Sequence, residues 1–125
     1  MRRGSALSLL ISFPICACAP RAEAPAPAAF ALDCAQPFDI QSARVRAQPR
    51  LVASPHESAE PYSFYSADDG RTSWLITEPG APGHPAIMMQ SAVGGAVKTA
   101  GCRYGSQRGY DQLMTYLDSL KTWRR

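Results

Sequence analysis

Cysteine and histidine are the side chains of this chain best suited to chemistry, and there are few of them. Four cysteines stand at positions 16, 18, 34 and 102, and two histidines at 56 and 84. A thiolate can attack a carbonyl, ligate a metal, take an acyl group or join a second thiol, and its surroundings decide among these. Cys16 and Cys18 lie one residue apart in FPICACAP, with no histidine at metal-ligand spacing. His56 sits in the polar turn SPHES beside Glu57, and no second ligand follows in the HExxH manner. His84 is wedged between Gly83 and Pro85 in a stiff loop. There is no G-x-S-x-G, no P-loop and no G-x-G-x-x-G after a strand. Acid–base or nucleophilic catalysis needs partners brought together, and no local run of this sequence brings them. The residues therefore point to no catalytic centre, no metal and no cofactor.

The context of the first two cysteines is more informative. Met1-Arg2-Arg3 is a short basic start, and ALSLLISFPICA, from Ala6 to Ala17, is an apolar run of twelve residues. A membrane-spanning helix needs about 20, and Pro14 would interrupt one. The layout is that of an export signal. Arg2 and Arg3 also supply two of the three net positive charges. The basic balance thus belongs largely to the leader and is no nucleic-acid footprint, which needs clustered Lys and Arg. Arg44, Arg46 and Arg50, and the pair Arg124 and Arg125, read as solvated surface.

Ile15-Cys16-Ala17-Cys18 resembles the lipobox of bacterial lipoproteins: a branched aliphatic at −3, a small residue at −1, then cysteine. The resemblance implies that the Cys18 thiol takes a diacylglycerol group, that the chain is cut before it, and that its new amine is acylated. Cys16 would leave with the leader. Ile in place of Leu at −3 and Cys at −2 are modest departures. Cys16 as the anchor would put Phe13 at −3 and Ile15 at −1, a poor match. Ala19 is not the aspartate linked with inner-membrane retention, which implies an outer-membrane lipoprotein facing the periplasm. A plain secretory signal is the alternative. Its small-x-small sites are Ala29-Phe30-Ala31, far beyond the apolar run, and Ala17-Cys18-Ala19, which would leave Pro20 directly after the cut.

With Cys16 removed and Cys18 modified, Cys34 and Cys102 remain as an even pair. In an oxidising compartment they are expected to form a disulfide. A metal pair is the alternative, but two cysteines without matching histidines make a poor zinc site.

The chain thus divides into a signal over 1–17, a linker over 18–31 and one globular domain over 32–125. The linker APRAEAPAPAAFA holds Pro20, Pro25 and Pro27, which favour extended geometry. Residues 35–50 are open between an edge strand, since ARVRA alternates, and a short helix started by Asp39. RLVAS, 50–54, is a strand candidate. Tyr62 to Ser66 and Arg71 to Thr77 read as a hairpin around Ala67-Asp68-Asp69-Gly70. EPGAPGHP, 78–85, is a loop with three prolines. Ala86 to Val93 and Ala96 to Cys102 form a second hairpin through Gly94-Gly95. Tyr110, Leu113, Met114, Leu117 and Leu120 then recur at helical spacing, with Ser106 or Gly109 as the start. The expected class is α+β: an antiparallel meander of about four strands, packed on one face by a single C-terminal amphipathic helix and tied by one disulfide.

Two further stretches bear on binding. The proline-stiffened loop before Ala86 can present His84 at a fixed place, beside Trp74 or Tyr65, as a recognition surface. The stretch TEPGAPGHPA resembles a segment of small exported bacterial proteins of unknown function, which adds no activity. Gly101-Cys102-Arg103-Tyr104-Gly105 loosely resembles a segment of lysozyme-inhibitor lipoproteins, although the long C-terminal helix departs from their barrel. The expected role is a lipid-anchored, non-enzymatic envelope module. Its expected partners are the membrane, through the anchor, and an envelope protein or peptidoglycan component, with no nucleic acid. The alternatives are a lysozyme inhibitor, a small periplasmic hydrolase using His56 and His84, and a purely structural lipoprotein.

Overall fold

The computed structural model describes residues 30–122. The expected signal, Cys18, most of the expected linker and Trp123 lie outside the described residues. Helix α1 spans Phe38–Arg46, strands β1 to β5 span Val52–Ala53, Tyr62–Ser66, Thr72–Thr77, Ala86–Val93 and Ala96–Arg103, and helix α2 spans Gln107–Thr122. The strands form one antiparallel sheet in the order β1-β2-β3-β4-β5. This is the α+β meander expected from the sequence, and the strand candidate over 50–54 supplies the two-residue β1 as a fifth strand at one edge.

Turn chemistry sets the registers. Gly94 and Gly95 both have positive φ, 57° and 80°, which suits the twist of a two-residue hairpin. They pair Val93 with Ala96, and the register runs on to Ala86 opposite Arg103. At the first hairpin the Gly70 N–H donates to the Ala67 carbonyl at 2.9 Å.

Within residues 35–50, Phe38–Arg46 form a helix, and there is no edge strand. Asp39 lies in its first turn, and Pro37 precedes it without a side-chain cap. The helix lies on the sheet face opposite α2. Along each strand the side chains alternate between the two faces. Val45 of α1 packs with Trp74, Ile76 and Ile87, joined by Phe30, Leu32, Phe38, Leu51, Tyr65 and Met89. Leu117 of α2 packs with Leu75 and Met88 on the other side, joined by Tyr62, Phe64, Tyr110 and Met114. The sheet is therefore covered on both faces, not on one. Burial on both faces also explains the unbroken apolar runs Trp74-Leu75-Ile76 and Ile87-Met88-Met89. Phe30, assigned to the linker by composition, packs edge-on against Trp74 at 5.7 Å between centroids.

Helix α2 starts where the Ser106 hydroxyl accepts the Gly109 N–H at 3.1 Å, an N-cap. Its first turn sits directly on the loop before β4. A Cβ on Gly109 would fall inside the backbone of Gly83, so only glycine allows this approach. The Cys34–Cys102 disulfide is present, with Cα atoms 5.1 Å apart. It ties the start of the described chain to β5, 68 residues away in sequence.

Candidate functional site

The residues singled out for chemistry gather around the end of β3 and the loop that follows. Thr77, the last residue of β3, is 2% exposed. Its Oγ1 accepts the Ala86 N–H at 2.8 Å and lies 3.1 Å from the Ala86 carbonyl and 2.8 Å from His84 Nδ1. One hydroxyl thus closes both ends of the loop. Gly80 and Gly83 take positive φ, and the His84–Pro85 peptide is cis. The Pro85 carbonyl accepts the Tyr104 and Gly105 N–H groups, each at 3.0 Å.

The His84 ring stands edge-on to Phe38 at 5.5 Å, and Phe38 stands edge-on to Tyr104 at 5.8 Å. The Tyr104 hydroxyl donates to the Gln36 carbonyl at 2.7 Å. Burial raises the Tyr104 pKa, and Asp33 adds to the effect. Arg103 Nη1 donates to the Gly105 carbonyl at 2.9 Å. The segment resembling lysozyme-inhibitor lipoproteins is thus spent on joining β5 to the loop, to α1 and to the start of α2.

Of the three residues expected to form a recognition surface, Trp74 and Tyr65 lie side by side on the α1 face of the sheet, while His84 has other neighbours. His84 meets Phe38 and Thr77. Trp74 is 3% exposed beneath the α1 side of the sheet, against Phe30, and its Nε1 has no partner. Tyr65, directly across from Trp74, accepts a hydrogen bond from Arg46 Nε at 3.1 Å.

The second histidine belongs to another cluster. His56 Nε2 lies 3.0 Å from Glu78 Oε2, and the Ser63 hydroxyl donates to Glu78 Oε1 at 2.8 Å. The residue types are those of a hydrolase triad, but the order is not. A nucleophilic serine must give its proton to histidine, with the carboxylate behind the ring. Here the carboxylate stands between the two, so the histidine cannot take the serine proton. The group instead pins residues 54–61 to the end of β3. The Ser63 hydrogen bond, then the His56 one, hold the Glu78 carboxyl below its usual range. A depressed folded-state value stabilises the fold above the unfolded value, and that contribution disappears as pH falls through the folded one. Glu78→Gln should therefore lower the melting temperature slightly at neutral pH, as expected for an exposed pair. The gap from the parent should close as pH falls through the carboxylate range. Melting curves of both proteins from pH 7 to pH 3 check this, and a constant gap would contradict it.

Among the described residues no three His, Cys, Asp or Glu side chains gather as metal ligands. A recess of about 140 Å³ lies beside the C-terminal half of α2, walled by Phe64, Leu75, Met88, Leu117 and Leu120 and edged by Ser66, Ser73 and Gln90. A second, of about 150 Å³, adjoins it through Ser73, Gln90 and Leu120. Each is smaller than the ~300 Å³ at which small-molecule sites begin. No family model matches this sequence, no curated protein is significantly similar to it, and no solved structure matches its fold.

Proposed function

We propose that this chain is a lipid-anchored protein of the bacterial cell envelope, whose folded domain acts by binding or as a structural element, not by catalysis. The observation that carries the reading is the joint use of the cysteines. Cys34 and Cys102 form a disulfide, the state favoured in an exported protein. That leaves Cys18 at the end of an apolar leader, in a lipobox-like setting. The Ala/Pro spacer after it ends at Phe30, which packs on the domain. The diacylglycerol on the thiol and the acyl group on the amine that the lipobox implies would anchor stably, since several acyl chains hold where one would not. The side chains suited to chemistry are occupied in holding the fold: Thr77 and His84 close a loop, and Glu78 separates Ser63 from His56.

The test is metabolic labelling of the full chain with an alkyne fatty acid in a bacterial host. The parent chain and Cys16→Ser should both take the label, and Cys18→Ser should lose it. Label retained by Cys18→Ser, or absent from the parent, would contradict the reading.

A further inference from the structure

Helix α1 turns Val45 and Phe38 toward the core and leaves Ile40 outside. It buries Gln41, Ser42 and Val45, and neither Gln41 Nε2 nor Ser42 Oγ has a hydrogen-bond partner. Unsatisfied buried polar groups are costly, and the aliphatic Ile40 is left outside. At 100° per residue the opposite side of the helix carries Ile40 and Ala43, with Ala47 at the C-cap continuing the strip. All three are exposed, Ile40 by 49%.

Arg44 and Arg46 edge this apolar strip, one on each side. The Arg44 guanidinium lies over Phe30 at 5.2 Å, and that of Arg46 over Tyr65 at 5.9 Å. Arg44 Nη1 also donates to Gln41 Oε1 at 2.8 Å and Arg46 Nε to the Tyr65 hydroxyl at 3.1 Å, and neither guanidinium pairs with a carboxylate among the described residues. Arg50, a few residues on, is paired with Asp68 at 3.4 Å. Asp39, on the Arg46 side, is the one carboxylate of α1. An exposed aliphatic residue bordered by arginines can rest on a lipid surface, with its side chain at the acyl boundary and the guanidinium groups at the phosphates.

The tether reaches the domain at the same face. Phe30, under Arg44, stands twelve residues after Cys18. Even fully extended, at ~3.5 Å per residue, that spacer keeps this face within roughly 40 Å of the bilayer. Building on the anchored reading above, we propose that the outer face of α1 rests on the anionic phospholipid surface of the membrane that holds the anchor. Helix α2, on the other side of the sheet, then points away from the bilayer.

The test uses the acylated full chain, purified from membranes and reconstituted in vesicles of phosphatidylcholine with or without phosphatidylglycerol. Arginine side chains are labelled with phenylglyoxal and read by peptide mass. With phosphatidylglycerol present, Arg44 and Arg46 should label about fivefold more slowly, while Arg108 on α2 is unchanged. Ile40→Asp, at an exposed site, should remove the difference. Equal rates at Arg44 and Arg46 in both vesicles, on a chain whose intact mass includes acyl groups, would overturn the membrane contact and leave the anchor standing. A chain without acyl mass would overturn the anchor, and the contact with it.

Discussion

Leu117→Asp should leave the domain unfolded at room temperature. Leu117 is 3% exposed and packs on Leu75 and Met88 beneath α2. Removing a buried leucine costs about 2–5 kcal/mol, and an unpaired carboxylate in its place adds several kcal/mol more. Domains of this size are stable by only about 5–15 kcal/mol, so the change consumes most of what is available. Circular dichroism should show no cooperative melt for Leu117→Asp and an almost unchanged one for Gln112→Asp, at an exposed position of the same helix. A parent-like melting temperature for Leu117→Asp would mean that α2 does not pack on this face.

Removing the disulfide should be nearly as severe. Cys34→Ser with Cys102→Ser reopens a loop of 68 residues, for which the chain-entropy model gives about 4 kcal/mol. For a domain of about a hundred residues this lowers the melting temperature by roughly 15–30 °C. The loss should be concentrated on the α1 side. Phe30, Leu32 and Phe38 cover the Trp74 face, and Cys34 is the covalent tie within that arm. Fluorescence near Trp74 should shift to the red before the α2 side melts. A drop of only a degree or two, with unchanged emission, would contradict this account of how the arm is held.

Much of the fold was legible because local signals agreed with one another. Tyr62 to Ser66 alternates and carries β-forming aromatics, and it is β2 residue for residue. Gly94-Gly95 can do little but turn a hairpin, and it does. Helix α2 showed itself through the spacing of Tyr110, Leu113 and Leu117, with Ser106 as its cap. Helix α1 was ambiguous for a physical reason: its buried side holds Gln41 and Ser42 while Ile40 stands outside. Periodicity reports burial only when apolar residues are the buried ones. A signal for the second covered face was nonetheless present. Trp74-Leu75-Ile76 and Ile87-Met88-Met89 do not alternate, and a strand bordered by water on one side should.

The candidate site was legible only in its parts. The stiffness of the loop before Ala86 follows from Pro79, Pro82 and Pro85, and the structure fixes His84 within it. That Phe38 and Thr77, and not Trp74, would be its neighbours depended on α1 lying across the sheet. The Ser63–Glu78–His56 group joins three segments whose meeting is set by the β2–β3 register. Nothing in the local sequence around any of the three announces it.

The anchored reading rests on how four thiols are used, so the most direct test is the intact mass of the protein purified from bacterial membranes, before and after reduction and alkylation. The account predicts a chain that begins at Cys18, carries acyl mass, and gains two alkylated thiols only on reduction. An unacylated chain beginning near Leu32, or thiols that react without reduction, would contradict it.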